Sequence, residues 1–417
     1  MKKLLSLLLC ALLLCACLPT AMAEEKLTDA SGNFVYVLRD DGSAELLEYK
    51  GPEGRVIIPN ALDGHPLTAV RNNPFAYFDT KDYKSKQKNC TVAVAQDHPY
   101  LATINGVLFG KTDRKLIGYP VTLDAAEYQI PDGIQTIGDY AFYGCDRLAS
   151  VSIPDSVTSI GYSAFFGCSS LGSVILPNSV TSIGELAFYS CSSLTSVSIP
   201  DSVTSIGDYA FFGCSGLTSV SIPDSVTSIG YSAFFGCSSL TSVSIPDSVT
   251  SIGEGAFYCC SGLTSIIIPD SVTSIGEGAF YCCSSLTSIS IPDSITIIEG
   301  SAFRNCSSLT SVIIPSSVTS IGSFAFSDCS GLTSVSIPDS VTSIGEGAFY
   351  CCSGLTSLVI PNSVTKIGND AFAKCSPDLV ITVTAGSFAE QYCINNSLTY
   401  QAPGADYSDA PTDWLNP

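Results

Sequence analysis

The chain has 417 residues, of which 46% are hydrophobic and 13% charged, and its formal net charge is −20. That length holds two or three domains or one long array. So acidic a chain argues against nucleic acid or anionic lipid as a partner.

The first residues, MKKLLSLLLCALLLCACLPTAMAEE, read as a secretory signal. Lys2 and Lys3 make a basic start, and Leu4 to Leu14 an apolar core too short to cross a membrane as a stable helix. Ala21-Met22-Ala23 places small residues before a cut at Glu24, at the usual distance from the apolar core. A rival cut is open: Leu14-Cys15-Ala16-Cys17 resembles a bacterial lipobox, which would leave lipid on Cys17. The Ala23 cut is favoured, and loss of Lys2 and Lys3 then moves the charge from −20 to −22. No second apolar stretch is long enough to span a bilayer. The chain is expected to be exported, then released or tethered, with no membrane insertion beyond the signal or an anchor at Cys17.

Residues 24–125 read as an irregular leading region, rich in lysine from Lys81 to Lys88. From 126 to 376 one unit repeats. Pro131 recurs every 23 residues to Pro361, and Cys145 every 23 residues to Cys375, which makes eleven units in register. The unit is LxxVxIPxxVxxIGxxAFxxCxx. In the unit at Leu194, Val197 and Ile199 alternate and so face one side of a strand. Pro200 breaks the strand's ladder. Val203 and Ile206 lie on a second extended piece, and Gly207 turns the chain. Asp208-Tyr209-Ala210-Phe211 is predicted to start a helical turn with an acid near its N-terminus.

One such coil cannot bury its apolar side, but stacked coils can. The predicted fold is an α/β repeat solenoid: a curved, right-handed array of 23-residue coils with a parallel β-sheet on one face and short helical turns. Strands in adjacent coils lie ~4.8 Å apart, so the array extends roughly 50 Å. Leu, Val, Ile, Phe and Cys form ladders inside, with Ser and Thr outside.

The IPxxVxxIGxxAFxxC unit resembles the BspA-like, treponemal-type leucine-rich repeat of bacterial surface proteins. The resemblance is close over 126–376. It extends more weakly over 34–70 and 104–142, which are similar to that family's divergent leading repeats. ITVTAGSFAEQYCINNSLTY (381–400) resembles the family's closing segment, and residues 377–403 are expected to cap the last coil. GADYSDAPTDWLNP (404–417) reads as a flexible polar tail. The resemblance implies a secreted or cell-surface protein that adheres to host matrix, to other cells or to itself.

Nineteen cysteines in an exported chain suggest disulfides, but three lie in the signal and eleven form the ladder. Ladder neighbours at ~4.8 Å are within bridging range. Their side chains point in parallel, however, and pairing alternate rungs would break the stacking, so a free buried ladder is expected. Cys259 and Cys282 make a further pair on adjacent rungs, whereas Cys351 has Asp328 and Lys374 for neighbours and no mate. No CxxC or Cys/His spacing points to zinc.

Three surface ladders remain. Asp132, Asp155, Asp201, Asp224, Asp247, Asp270, Asp293 and Asp339 follow the repeat's proline, interrupted by Asn178, Ser316 and Asn362. Each carboxylate is expected to accept from the backbone N–H of the following Ser or Val, with calcium as the rival reading. Over 126–365, eighteen acidic residues face only Arg147 and Arg304. Tyr143, Phe166, Tyr189, Phe212, Phe235, Tyr258, Tyr281 and Tyr350 are expected to fill a corner of the coil, and a sugar platform is the alternative. The sheet face carries Ser196, Ser198, Ser219, Ser221, Ser242 and Ser244, with Ile175, Ile267, Ile313 and Val359 in place of the second serine elsewhere. These ten are the candidate ligand contacts, because the sheet face is the usual binding face of a solenoid. One coil breaks rank with Ile297, Glu299, Arg304 and Asn305, and its Glu299 stands where the turn glycine is expected.

Catalysis has little to stand on. His65 and His98 lie outside the array without a motif around either. No nucleophile elbow, phosphate loop or zinc motif is present, so no cofactor is expected. The repeated serines are not activated nucleophiles. Near-identical coils offer many equal weak contacts, which gain through multivalency. The sequence therefore points to a non-enzymatic binder of a protein or glycoprotein ligand at the bacterial surface, read as an adhesin. The alternative is a structural spacer or self-associating envelope protein without a host ligand. An enzyme hidden in 24–125 lacks a catalytic constellation.

Overall fold

The computed structural model describes residues 24–79 and 84–403. The signal segment with Ala23 and Cys17, the start of the lysine stretch at Lys81 and the tail 404–417 lie outside the described residues.

Three-residue strands carry the array. Ser196–Ser198 pairs in parallel with Ser219–Ser221, in the register Ser196↔Ser219, Val197↔Val220 and Ser198↔Ser221. The same step repeats through a 13-stranded sheet that runs from Glu127–Gln129 to Tyr400–Gln401. From Ser173–Ile175 to Ser357–Val359 the middle residue of each strand is buried and its neighbours are exposed, as alternation in a strand dictates. Ile199 still points inward, and then Pro200, with no N–H to give, ends the strand. A second row of two-residue strands such as Ser205–Ile206 stacks alongside. In its first part this row continues into the leading region, where Lys115–Gly118 pairs with Thr136–Ile137.

The third corner differs from expectation. Asp208 to Phe211 form turns, with no helix, and Tyr209 takes a left-handed φ of 56°. Alternate N–H groups leave the coil: Tyr209 donates to the Tyr231 carbonyl (2.8 Å), Phe211 to Ala233 (2.8 Å) and Gly213 to Phe235 (2.7 Å). A helix would send them four residues back along its own chain. Here the corner is a third ladder between coils.

Inside, Phe142 to Phe372 form one stack, with centroids 4.8–5.7 Å apart and nearly parallel planes. The ladder cysteines lie beside it as free thiols. From Cys168 to Cys375 each donates to the carbonyl of the core phenylalanine of the coil before, as Cys214 does to Phe188 (3.1 Å) and Cys237 to Phe211 (3.3 Å), and Cys145 donates to the Tyr119 carbonyl (3.6 Å). Cysteine is thus both small apolar filler and a weak donor across the coil interface.

Coils approach closely at the turn glycine. A Cβ at Gly253 would lie 2.7 Å from the backbone of Gly230 in the preceding coil. Glu299 carries a Cβ at this position, and the second row of strands opens there, between Ser274–Ile275 and Ile297–Ile298. The bonds that Thr273 and Gly276 make to Thr250 and Ile252 (both 2.9 Å) have no counterpart at Thr296 and Glu299. A second opening, between Ile183 and Ile206, has glycine on both sides and nothing in the structure explains it.

Both ends are closed. The leading region has its own core around Phe34, Tyr36, Leu46, Tyr49 and Phe75. Asn73 ties it to the first coil, donating through its N–H to the Asp139 carbonyl (3.2 Å) and through Nδ2 to that of Tyr140 (3.1 Å). At the far end the helix Phe388–Asn395 is capped by Ser387, which accepts from the Glu390 N–H (3.1 Å). Its Tyr392 lies edge-on to Phe372 at 6.1 Å and its hydroxyl accepts from the Ala371 N–H (3.2 Å).

Candidate ligand-binding face

All ten candidate residues lie on one face of the main sheet. Ser196, Ser219 and Ser242 stand in the first exposed row, and Ser198, Ser221 and Ser244 in the second. None of these six hydroxyls has a hydrogen-bond partner among the described residues, so both donor and acceptors face solvent. Ile175, Ile267, Ile313 and Val359 belong to the second row, through Ile175↔Ser198, Ser244↔Ile267, Ser290↔Ile313 and Ser336↔Val359. The three isoleucines are 76–79% exposed and Val359 52%. An isoleucine held so far out of the core is a standing cost in water that contact with a ligand would remove.

The rims of this face are polar. Along one runs a threonine ladder in which the hydroxyls from Thr195 to Thr333 donate to the carbonyl one coil back, as Thr218 does to Thr195 (3.1 Å). Along the other runs the aspartate ladder. It does not behave as expected: the eight carboxylates are exposed and accept no hydrogen bond among the described residues. The turn is closed by its backbone, the Val226 N–H donating to the Pro223 carbonyl (3.0 Å). Serine rather than aspartate does the side-chain work, the Ser225 hydroxyl donating to the Val203 carbonyl of the coil before (2.6 Å). Among the described residues, no group of three or more His, Cys, Asp or Glu side chains could hold a metal ion.

A different aspartate is engaged. Asp208 Oδ1 accepts from the Tyr231 N–H (2.7 Å), and Asp139 Oδ1 from that of Tyr162 (2.8 Å). The sequence predicts an acid at a helix start for Asp208, whereas its carboxylate bridges two coils.

From Tyr189 to Tyr281 the outer aromatic ladder is half-buried and stacked at 4.3–4.5 Å. Ring faces cover one another, so a sugar finds only edges there. Arg304 ends this stack, its guanidinium 5.7 Å from the Tyr281 ring and 5.2 Å from Phe324, with Asp328 3.5 Å away. His98 is fully buried, and its Nδ1 accepts from the N–H groups of Tyr100 (3.3 Å) and Leu101 (3.2 Å), a structural role.

One feature escaped the sequence. Tyr49, Phe75, Tyr77, Lys50 and Lys88 line an open cleft of about 280 Å³ in the leading region. Its walls come from 48–53, 74–77 and 88, which share no period that a reading of the chain could detect.

The family description "BspA type Leucine rich repeat region" matches in six copies, over residues 122–237, 204–321 and 273–399. A leucine-rich repeat protein from Bacteroides ovatus is 27% identical, with 89% of this chain and 98% of that one covered, at a TM-score of 0.59. A leucine rich cell surface protein from Faecalibacterium prausnitzii is 30% identical over the same shares, at a TM-score of 0.42. The pneumococcal vaccine antigen PcpA is 16% identical, with 92% of this chain and all of that one covered, at a TM-score of 0.52, a likeness of fold. No match was found among curated proteins.

Proposed function

Because the chain belongs to the BspA-type leucine-rich repeat family, we propose that it is a non-enzymatic surface protein that binds a protein or glycoprotein through its serine-lined sheet face. One observation carries this reading. The face presents free hydroxyls and isolated, exposed apolar side chains in register, coil after coil. Such a surface offers many equal contacts and no single enclosed pocket, which suits avidity rather than chemistry. Adhesion to host matrix or to other cells is the role we assign. Export through the signal cut after Ala23, or anchoring at Cys17, belongs to the same reading. So do the division of the chain at 24–125, 126–376 and 377–403 and the right-handed coil, the usual hand of parallel crossovers.

The test is capture of the chain on immobilised matrix glycoproteins at physiological salt. Saturable binding that weakens as pairs of coils are deleted is expected. Binding that survives removal of the array would overturn the assignment. A second reading, in which the array is a spacer, draws support from the cleft at Tyr49 and Phe75, which gives the leading region a concave surface of its own. Under that reading Tyr77→Ala abolishes capture and shortening the array does not.

A further inference from the structure

The exposed apolar residues of the sheet face are not scattered. Ile175, Ile267, Ile313 and Val359 are 92, 46 and 46 residues apart, that is four, two and two coils. All fall on alternate coils of the second row, with serines at 198, 221, 244, 290 and 336 between them. A second position varies with them. Three residues further on, each coil places its turn aspartate. The ladder's interruptions, Asn178, Ser316 and Asn362, stand in the coils of Ile175, Ile313 and Val359. Only Ile267 keeps its acid, Asp270. Where an apolar side chain stands out of the sheet, the adjacent carboxylate is replaced by a neutral residue in three coils of four. A carboxylate beside a covered isoleucine would lose its water, so removing it suits a surface that becomes buried. From Ile267 to Val359 the face therefore alternates between apolar coils and hydroxyl-acid coils.

The spacing selects a partner. Two coils advance ~9.6 Å along the sheet. A polyproline II chain presents the same face every three residues, or ~9.3 Å, so it slips only ~0.6 Å between Ile267 and Val359. An extended strand repeats its face every ~6.8 Å and loses register at the first step. A helix repeats after seven residues, ~10.5 Å, and slips by ~1.8 Å over the same span. Charge decides the rest. The intervening coils offer exposed, unbonded carboxylates at Asp293 and Asp339, and the coil before Ile267 offers Asp247. A second copy of this chain, at −20, is repelled.

Building on the sheet-face reading above, we infer that the face binds a cationic segment in polyproline II conformation. The segment carries an apolar residue at every third position, which seats on Ile267, Ile313 and Val359, and Lys or Arg between, which meets the aspartates. Ile175 extends the track towards the first coils.

The experiment follows fluorescently labelled (Pro-Leu-Lys)6 by anisotropy on the intact chain. The variant combines Ile267→Ser, Ile313→Ser and Val359→Ser, each the residue that neighbouring coils already carry, so the fold is kept. Saturable binding is expected, weakened by salt and by roughly tenfold or more in the variant. (Pro-Leu-Glu)6 is expected not to bind. Equal binding of the strand-spaced peptide (Leu-Lys)9 would overturn the polyproline assignment. So would a dimer that sedimentation finds in the parent chain and not in the variant, because a second copy would then be the occupant. If the variant loses glycoprotein capture but (Pro-Leu-Lys)6 never binds, this inference falls and the sheet-face reading stands. If the variant changes neither, both fall.

Discussion

The eleven ladder thiols make the array sensitive to alkali, and the size of the effect follows from their burial. Desolvation holds them protonated: Cys214 is pushed up to about 12, and its buried neighbours Cys191 and Cys237 well above the ordinary range. An unfolded thiol ionises near pH 8.5. Below that pH both states hold the proton and stability is full. As the pH rises towards the folded value, the unfolded chain releases protons that the folded chain keeps, so stability is lost. At pH 9.5 the loss is about 1.4 kcal/mol per thiol, or about 15 kcal/mol for eleven, as much as the whole stability of an ordinary domain. Half-buried tyrosines such as Tyr189 act in the same direction, each contributing about a tenth as much to the loss at about pH 9.5 and about half as much to the slope at about pH 10. Urea unfolding from pH 7.5 to 10, under reductant, measures the slope. Above about pH 9.5 the ladder's share of the slope is expected to be about 15 kcal/mol per pH unit, and changing Cys237, Cys260 and Cys283 to alanine is expected to lower the measured slope by about 4 kcal/mol per pH unit. Any fixed cost of those substitutions shifts the curve without changing its slope. A slope indifferent to the three changes, or thiolate absorbance at 240 nm that appears before the fold is lost, would refute the argument.

Other consequences are more local. Phe257 is fully buried with rings 5.4 and 5.5 Å away on its two sides, so Phe257→Ala is expected to cost about 3–5 kcal/mol. Phe372→Ala, with one stacked neighbour and the Tyr392 edge, should cost about 0.5–1.5 kcal/mol less, and equal losses in urea unfolding would contradict the stack's role. Gly253→Glu is expected to open the second strand row as Glu299 does. It releases the Thr250 and Gly253 N–H bonds (both 2.9 Å) for about 1–3 kcal/mol, and unchanged exchange of those two amides would count against the clash. Iodoacetamide at pH 8 should label the half-buried Cys259, Cys282 and Cys351 in the folded chain and spare the ten buried ladder thiols from Cys145 to Cys352, with peptide mapping as the readout.

Much of this fold is legible because it is written eleven times. The recurrence of Pro131 and Cys145 every 23 residues reads directly as coils, and the alternation around Val197 as a strand with one buried face. The ten candidate contacts share a face because a parallel register keeps equivalent residues in line. What stayed hidden is what one coil does to the next. Asp208-Tyr209-Ala210-Phe211 looks helical when only its own chain can satisfy it, yet the Phe211 N–H goes to Ala233, 22 residues on. The aspartate after each proline looks like a turn acceptor, but the serine beside it forms the bond, and to the preceding coil. The ladder cysteine's donation to a phenylalanine carbonyl is of the same kind. The cleft at Tyr49 had no signal at all, because three unrelated segments build it.

The fit of each turn glycine against the coil before it means that nearly every coil meets the same neighbour on both sides. Neither end can tell how many coils lie between: Asn73 grips the first and Tyr392 clasps the last. Removal or insertion of one whole 23-residue unit would keep the coils in register. Such a change would move the two ends ~4.8 Å closer or further apart and, among the regular coils, leave each with a neighbour of the same kind. The length of this molecule is thus set in single steps of one coil, without inventing a residue.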